Sequence, residues 1–202
     1  MTQRALPFLG LLLLAACSKT TVTVELTDAP PDAASLEHVE ITLSRVEVHV
    51  AGGDDDSSDD GADKHEDSGE TADGGSDDGS AGWHTVAAPA GTFDLVALQN
   101  DVRATLGKLE LPSGKITQIR LFIDPNGKNQ VELTGGETCP LDLASVPPTG
   151  VKINHPFKAL DVEDSSELKL VVDFDLKESL DQSGTCSFAL KPVIKLKNVE
   201  KS

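Results

Sequence analysis

Apolar and polar residues alternate with a period of two along most of this chain, and that period predicts strands rather than helices. Val22, Val24 and Leu26 alternate with Thr21, Thr23 and Glu25, the pattern of a half-buried strand. In the next strand Val39, Ile41 and Leu43 share one parity and Val46, Val48 and Val50 the other. The inward set therefore changes phase near Ser44 and Arg45, which predicts a β-bulge there. The most regular run is Leu168, Leu170, Val172, Phe174 and Leu176, with Lys169, Val171, Asp173 and Asp175 on the other face, a central core strand. Phe188, Leu190, Ile194 and Leu196 repeat the pattern near the C-terminus. Pro192 cannot donate to a ladder, so it argues for an edge or a bulge. If these two strands are antiparallel neighbours, outward Asp and Lys face one another.

Turn chemistry punctuates the strands. Thr27, Asp28, Ala29, Pro30 and Pro31 end the first, with Asp28 suited to an Asx turn. Thr85 and Val86 form a short strand; Phe93, Leu95 and Leu98 fit either a strand or one helical turn. Pro112, Ser113 and Gly114 make a turn between Leu109–Leu111 and Ile119–Ile123. Asp124, Pro125, Asn126 and Gly127 have the residues of a type I turn, with Gly127 able to take positive φ, and predict a hairpin to Val131–Leu133. Gly135, Gly136, Pro147, Pro148 and Gly150 flank a strand at Val151 and Ile153. About eight short strands without a long helix make an all-β, two-sheet β-sandwich the expected fold.

Residues 52–82 break the pattern, carrying twelve acidic residues against the single Lys64. Such a tract cannot bury enough apolar surface to order itself. It reads as a long disordered loop of a hairpin, because the strand patterns on either side are too short to stand alone. Closing about thirty residues instead of four costs only about 2 kcal/mol more.

The N-terminus is different again. Arg4 is the sole charge before an apolar segment, Ala5 to Ala16, which has the layout of a secretory signal but is shorter than the roughly 20 residues a membrane-spanning helix needs. Leu14, Ala15, Ala16 and Cys17 look like a bacterial lipobox, in which the chain is cut before the Cys and that residue carries acyl chains such as palmitate. Residues 1–16 are then a removed leader, 17–19 the attachment segment, 20–197 one sandwich domain holding the acidic insert, and 198–202 a tail. The expected location is the cell envelope, held to the membrane by several acyl chains. Ser18 after the Cys resembles an outer-membrane sorting signal in a diderm bacterium.

Charge and cysteines refine this. With 17 basic and 34 acidic residues the formal charge is −17, which argues against nucleic acid, whose binding depends on clustered Lys and Arg. With Cys17 lipidated, Cys139 and Cys186 are an even pair in an oxidising compartment, and a disulfide is the default reading. Two free thiols doing metal or catalytic work is the competing reading, without a CxxC or Cys/His spacing to support it.

Several segments together carry a family resemblance: Leu26–Pro30 (LTDAP), Val46–His49, Trp83 after the insert, Phe93–Leu95, Leu111–Gly114 (LPSG), Gln118–Leu121 (QIRL), Val171–Leu176 (VVDFDL) and Leu190–Ile194 (LKPVI). Over residues 20 to 197 the chain resembles the family known as domain of unknown function 4382. Ile116, where an aromatic is usual, and Pro147–Gly150, in place of a Pro-Ser-Gly turn, depart from its pattern. The resemblance implies an immunoglobulin-like or transthyretin-like β-sandwich, no established activity, and no functional residues to carry over.

Candidate chemistry is sparse. Asp56, Ser58, Asp60, Gly61 and Asp67 occupy EF-hand loop positions, but flanking helices and the terminal bidentate Glu are missing. A solvated charge run is the simpler reading, with weak Ca²⁺ binding as the alternative. Asp173 and Asp175 would suit a metal or an acid/base pair, yet no His or Glu motif joins them, so facing solvent or the outward lysines is preferred. His38, His49, His65, His84 and His155 show no HxH or HExxH spacing. Trp83 with His84 would stack a sugar, though a single Trp and no Tyr offer little aromatic surface, and Trp83 is read as core. The expected function is a non-enzymatic, lipid-anchored binding or structural module that contacts an envelope protein or polysaccharide. The alternative is a Ca²⁺-dependent adhesion or carbohydrate-binding module using Asp54–Asp78. An envelope hydrolase using Asp173 or Asp175 ranks behind both.

Overall fold

Two sheets close over one apolar layer, in a computed structural model that describes residues 19–28, 35–51, 81–86, 91–153, 158–162 and 167–201. In chain order the elements are β1 (Thr20–Thr27), β2 (Leu36–Ala51), β3 (Gly82–Thr85), β4 (Gly91–Asp94), a 3-10 turn (Val96–Leu98), β5 (Ala104–Leu111), β6 (Gly114–Ile123), β7 (Gln130–Leu133), β8 (Thr138–Asp142), β9 (Val151–Lys152), β10 (Leu160–Val162), β11 (Glu167–Phe174), the single-turn helix α1 (Leu176–Ser179), β12 (Leu180–Gly184), β13 (Ser187–Leu190) and β14 (Ile194–Lys201). The smaller sheet is ordered β14-β11-β1-β5 and the larger holds ten strands. The fold is an all-β sandwich.

The most regular alternation earns the central place it predicts: β11 lies between β1, which it pairs in parallel, and β14, which it pairs antiparallel. Leu168, Leu170, Val172 and Phe174 meet Val22, Val24 and Leu26 in the core. Each fully buried side chain of this size contributes about 2 kcal/mol. Asp173 faces Lys195, the Asp–Lys opposition expected of the two C-terminal patterns, and Lys169 faces Glu200 of the expected tail. Leu176, however, is not in the strand. Asp175 ends the strand and caps α1, accepting from the Glu178 backbone N–H at 3.1 Å, so the fifth apolar residue is buried by a helical turn. The C-terminal pattern is also two strands rather than one. Phe188 and Leu190 lie in the large sheet and Ile194 and Leu196 in the small one, with Pro192 at the corner between them. Asn198–Lys201, expected as tail, continues β14.

The larger sheet is built on β2. Its phase change is present: the ladder to β6 slips between Leu43 and Arg45, and both Val39–Ile41–Leu43 and Val46–Val48–Val50 are buried. Leu43 pairs with both Gly91 and Ile123, Glu40 with both Asp94 and Gln130, and Glu47 with both Thr85 and Arg120. A strand has only two edges, so β3 and β4 share one edge of β2 while β6 and β7 share the other. The hairpin expected around Asp124–Gly127 is therefore corrected. The turn exists, with Gly127 N–H to Asp124 O at 3.1 Å, but the strands on either side run on along the same neighbour instead of pairing together. Gly127 is not at positive φ. It is required because a Cβ there would lie 2.4 Å from Thr42 Cβ. Asn129 holds the loop from within, accepting from Thr42 N–H at 3.0 Å and donating to Asp124 O at 2.8 Å.

Beyond β6 and β7 come β10, β9 and β8, then β13 and β12. Among the described residues fourteen strand segments thus replace the expected eight or so, because long ladders are broken into collinear pieces and because β12, largely exposed, has no apolar alternation to reveal it. Phe93 belongs to β4 and Leu98 to the 3-10 turn, so both alternatives for that stretch are realised in sequence. Among the described residues no helix is long and apolar enough to cross a membrane.

Candidate functional site

The outer face of the large sheet follows from the alternation that builds its core. Burying Val46, Val48, Ile119 and Leu121 turns Arg45, Glu47 and His49 of β2 outward beside Phe122, Arg120 and Gln118 of β6, in that register. β3 adds Thr85 next to Glu47 and Trp83 next to His49. β9 adds Lys152 next to Arg120.

These side chains interlock. The Arg120 guanidinium lies 3.8 Å from the Trp83 ring centre, and the His49 ring meets the same indole edge-on at 4.9 Å. Arg45 covers Phe122 at 3.6 Å while its Nε donates to Glu47 Oε1 at 2.8 Å. Arg–aromatic stacks of this kind are worth about 1 kcal/mol each and hold both partners flat. Arg120 donates from Nη2 to Gln118 Oε1 at 3.3 Å, and its buried Nε has no acceptor among the described residues. Burial, then the charges of Arg120 and His84, lower the pKa of His49, so its ring is neutral at neutral pH and shares a 2.6 Å hydrogen bond with Thr117. The second face of Phe122 is closed by Gly150, whose φ of +87° and lack of a Cβ, which would sit 2.8 Å from the ring, admit no other residue. Past Gly150 a groove of about 490 Å³ opens at the free edge of β9, lined by Ser145, Pro147, Thr149, Lys152, Lys191 and Pro192.

Trp83 is thus not core. It is half-buried on an outer face, because strand alternation places it beside His49 while His84 takes the opposite parity next to Val48. The expected Trp83–His84 pair is therefore split between two faces, and His49 and Arg120 are its real neighbours. Neither had a spacing that marked it; only the register of β2 with β6 and β3 brings them together.

The other candidates are dispersed. Cys17, Asp56, Ser58, Asp60, Gly61, Asp67, His65 and His155 lie outside the described residues. Cys139 and Cys186 form a disulfide. Among the described residues the one group of three metal-type donors is Glu137 with these two sulfurs, which are bonded to each other. His38 pairs with Asp94 at 2.7 Å, a hydrogen bond that raises its pKa.

Asp175 is occupied by its cap and by Lys195 at 2.7 Å. Asp173 is left with a buried Oδ1 that has no hydrogen-bond partner among the described residues. Burial raises its pKa, opposed by Lys197 and Lys195 and reinforced by Asp175. A carboxyl whose folded pKa is raised stabilises the fold below its unfolded pKa and loses that contribution as pH rises through the folded value. Wherever it is ionised, Asp173 is therefore a burden. Asp173→Asn is expected to raise the melting temperature at neutral pH, with the gain shrinking as the medium is made acidic, and thermal scans at both conditions check it.

A family model described as Domain of unknown function (DUF4382) matches residues 19–192. No curated protein and no solved structure matches.

Proposed function

The chain belongs to the DUF4382 family, and from that premise we propose that it is a non-enzymatic, lipid-anchored envelope module that binds polysaccharide through the outer face of its larger sheet. The carrying observation is Trp83, half-buried on that face with Arg120 stacked on it and His49 against its edge. Sugar rings offer apolar C–H faces and hydroxyls. They are met by an aromatic flanked by planar side chains that both donate and accept, which Gln118, Glu47, Arg120 and neutral His49 supply. A protein partner would call for an apolar interface centre. Among the described residues the one large hydrophobic side chain that is exposed is Val102, in the turn that follows the 3-10 segment. Attachment through Cys17 fits the same role, since it would hold the sandwich at the membrane surface, and the mass of the envelope-extracted protein reports whether that residue carries acyl groups.

The test uses a convenience of composition. Trp83 is the sole Trp and the chain has no Tyr, so intrinsic emission excited at the indole band reports on this face alone. Titrating the full-length protein in detergent with a panel of envelope and matrix oligosaccharides is expected to shift that emission saturably for at least one member. Trp83→Ala should weaken binding of that member, read by calorimetry, about tenfold or more, the loss of one stacking contact. A panel that leaves both emission and heat unchanged would overturn the reading.

A further inference from the structure

We infer that the polysaccharide is anionic, and that one carboxylate or sulfate of it is held between Arg120 and Lys152; this rests on the reading of the Trp83 face as a glycan site. Arg120 and Lys152 are directly opposed on neighbouring antiparallel strands, where two like charges on one face repel. The chain has twice as many acidic as basic residues, so acids to separate or neutralise such a pair are abundant. None does so here: among the described residues neither Arg120 nor Lys152 takes part in an ion pair. Glu47, on the other side of Arg120, is engaged by Arg45. An anion seated between the two cations would cancel the repulsion, with the charge-assisted geometry that a guanidinium favours.

The surroundings extend the site in one direction. Trp83, His49, Arg120 and Lys152 stand on four successive strands, β3, β2, β6 and β9, a span of about 14 Å at the usual strand spacing. Lys152 then lines the groove at the free edge of β9, where among the described residues the second ionisable lining residue is Lys191 and none is acidic. Lys191 is paired with Asp181 outside it. The track therefore runs from an aromatic platform to a cationic end, the order suited to a chain of sugars with regularly placed negative charges.

The experiment compares a galacturonate hexasaccharide, its fully methyl-esterified form and a sulfated hexasaccharide on full-length protein in detergent, by calorimetry and Trp83 emission. The charged forms are expected to bind at least tenfold more tightly than the ester, with an affinity that falls as salt rises. Which charged form is preferred separates carboxylate from sulfate. Lys152→Gln should lower the affinity for the charged forms about tenfold and leave the ester unaffected. The same variant, free of ligand, should melt no lower than the parent, because a repulsion has been removed. Equal binding of acid and ester, or an affinity that Lys152→Gln does not change, overturns the inference while the glycan site stands. Binding of none of the three, with none in the wider panel, overturns both.

Discussion

Removing the Cys139–Cys186 bond is expected to lower the unfolding free energy by about 4 kcal/mol. The bond joins residues 47 apart in sequence, and linking them restricts the unfolded chain far more than the folded one. Its position makes the loss local as well as global. Cys139 is fully buried on β8, and Cys186 lies in the turn between β12 and β13. Without the bond, that hairpin is held to the sheet by the short parallel ladder of Phe188 and Ala189 with Leu141 and Asp142, and by the buried side chains Phe188 and Leu190. Against a total stability of roughly 5–15 kcal/mol, the expected loss is large. The check is urea unfolding of the Cys139→Ala/Cys186→Ala double variant, where a lower midpoint is expected together with a somewhat steeper slope, because the freed unfolded chain exposes more surface. Amide exchange should accelerate first in Leu180–Leu190. An unchanged midpoint would show that packing alone holds the hairpin.

What the sequence made legible was local. Val22–Val24–Leu26, the two phases of β2 and Leu168–Phe174 each announce a buried face within their own few residues, and each is where the period of two places it. The bulge at Ser44 and Arg45 is readable for the same reason, since a change of parity within one strand has one economical explanation. Pairing between distant segments is not written in any window. Asp124–Gly127 has turn chemistry whether the next strand folds back on β6 or continues along β2, and the deciding contact is Thr42, some eighty residues earlier, pressing against the bare Cα of Gly127. Trp83 illustrates the same limit. A lone Trp next to a buried-looking Val86 is a sound core residue by composition, and its exposure is decided by which parity of β3 meets Val48. The site was invisible for this reason: His49, Trp83 and Arg120 belong to three segments whose common face exists only after β2 has been paired on both edges.

Asp28→Ala is expected to cost about 3 kcal/mol, the loss of a buried hydrogen bond together with a stranded donor. Turn chemistry suits Asp28 to an Asx turn, whose following residues lie outside the described ones; it is 1% exposed and its Oδ1 accepts from the Leu176 backbone N–H at 2.9 Å. The cause is topological. β1 and β11 are parallel, so their C-terminal ends lie side by side and bring Leu26–Asp28 against Val171–Leu176, segments with no nearness in the sequence. Leu176 begins α1, and a first-turn N–H has no partner within its own helix. Asp28 supplies the acceptor, and its own N–H reaches Leu98 O at 3.0 Å, so one residue joins β1, the 3-10 turn and α1. Asp28→Asn keeps an acceptor in the same place and should lose less than half as much as alanine. Asp173 stands one pair back in the same ladder, opposite Thr27. The two aspartates should respond with opposite signs, because an oxygen of Asp28 accepts from the Leu176 N–H while the buried Oδ1 of Asp173 has no donor among the described residues. Urea midpoints for the three variants at neutral pH decide it, and an Asp28→Ala midpoint at or above the parent's would mean that α1 finds its acceptor elsewhere.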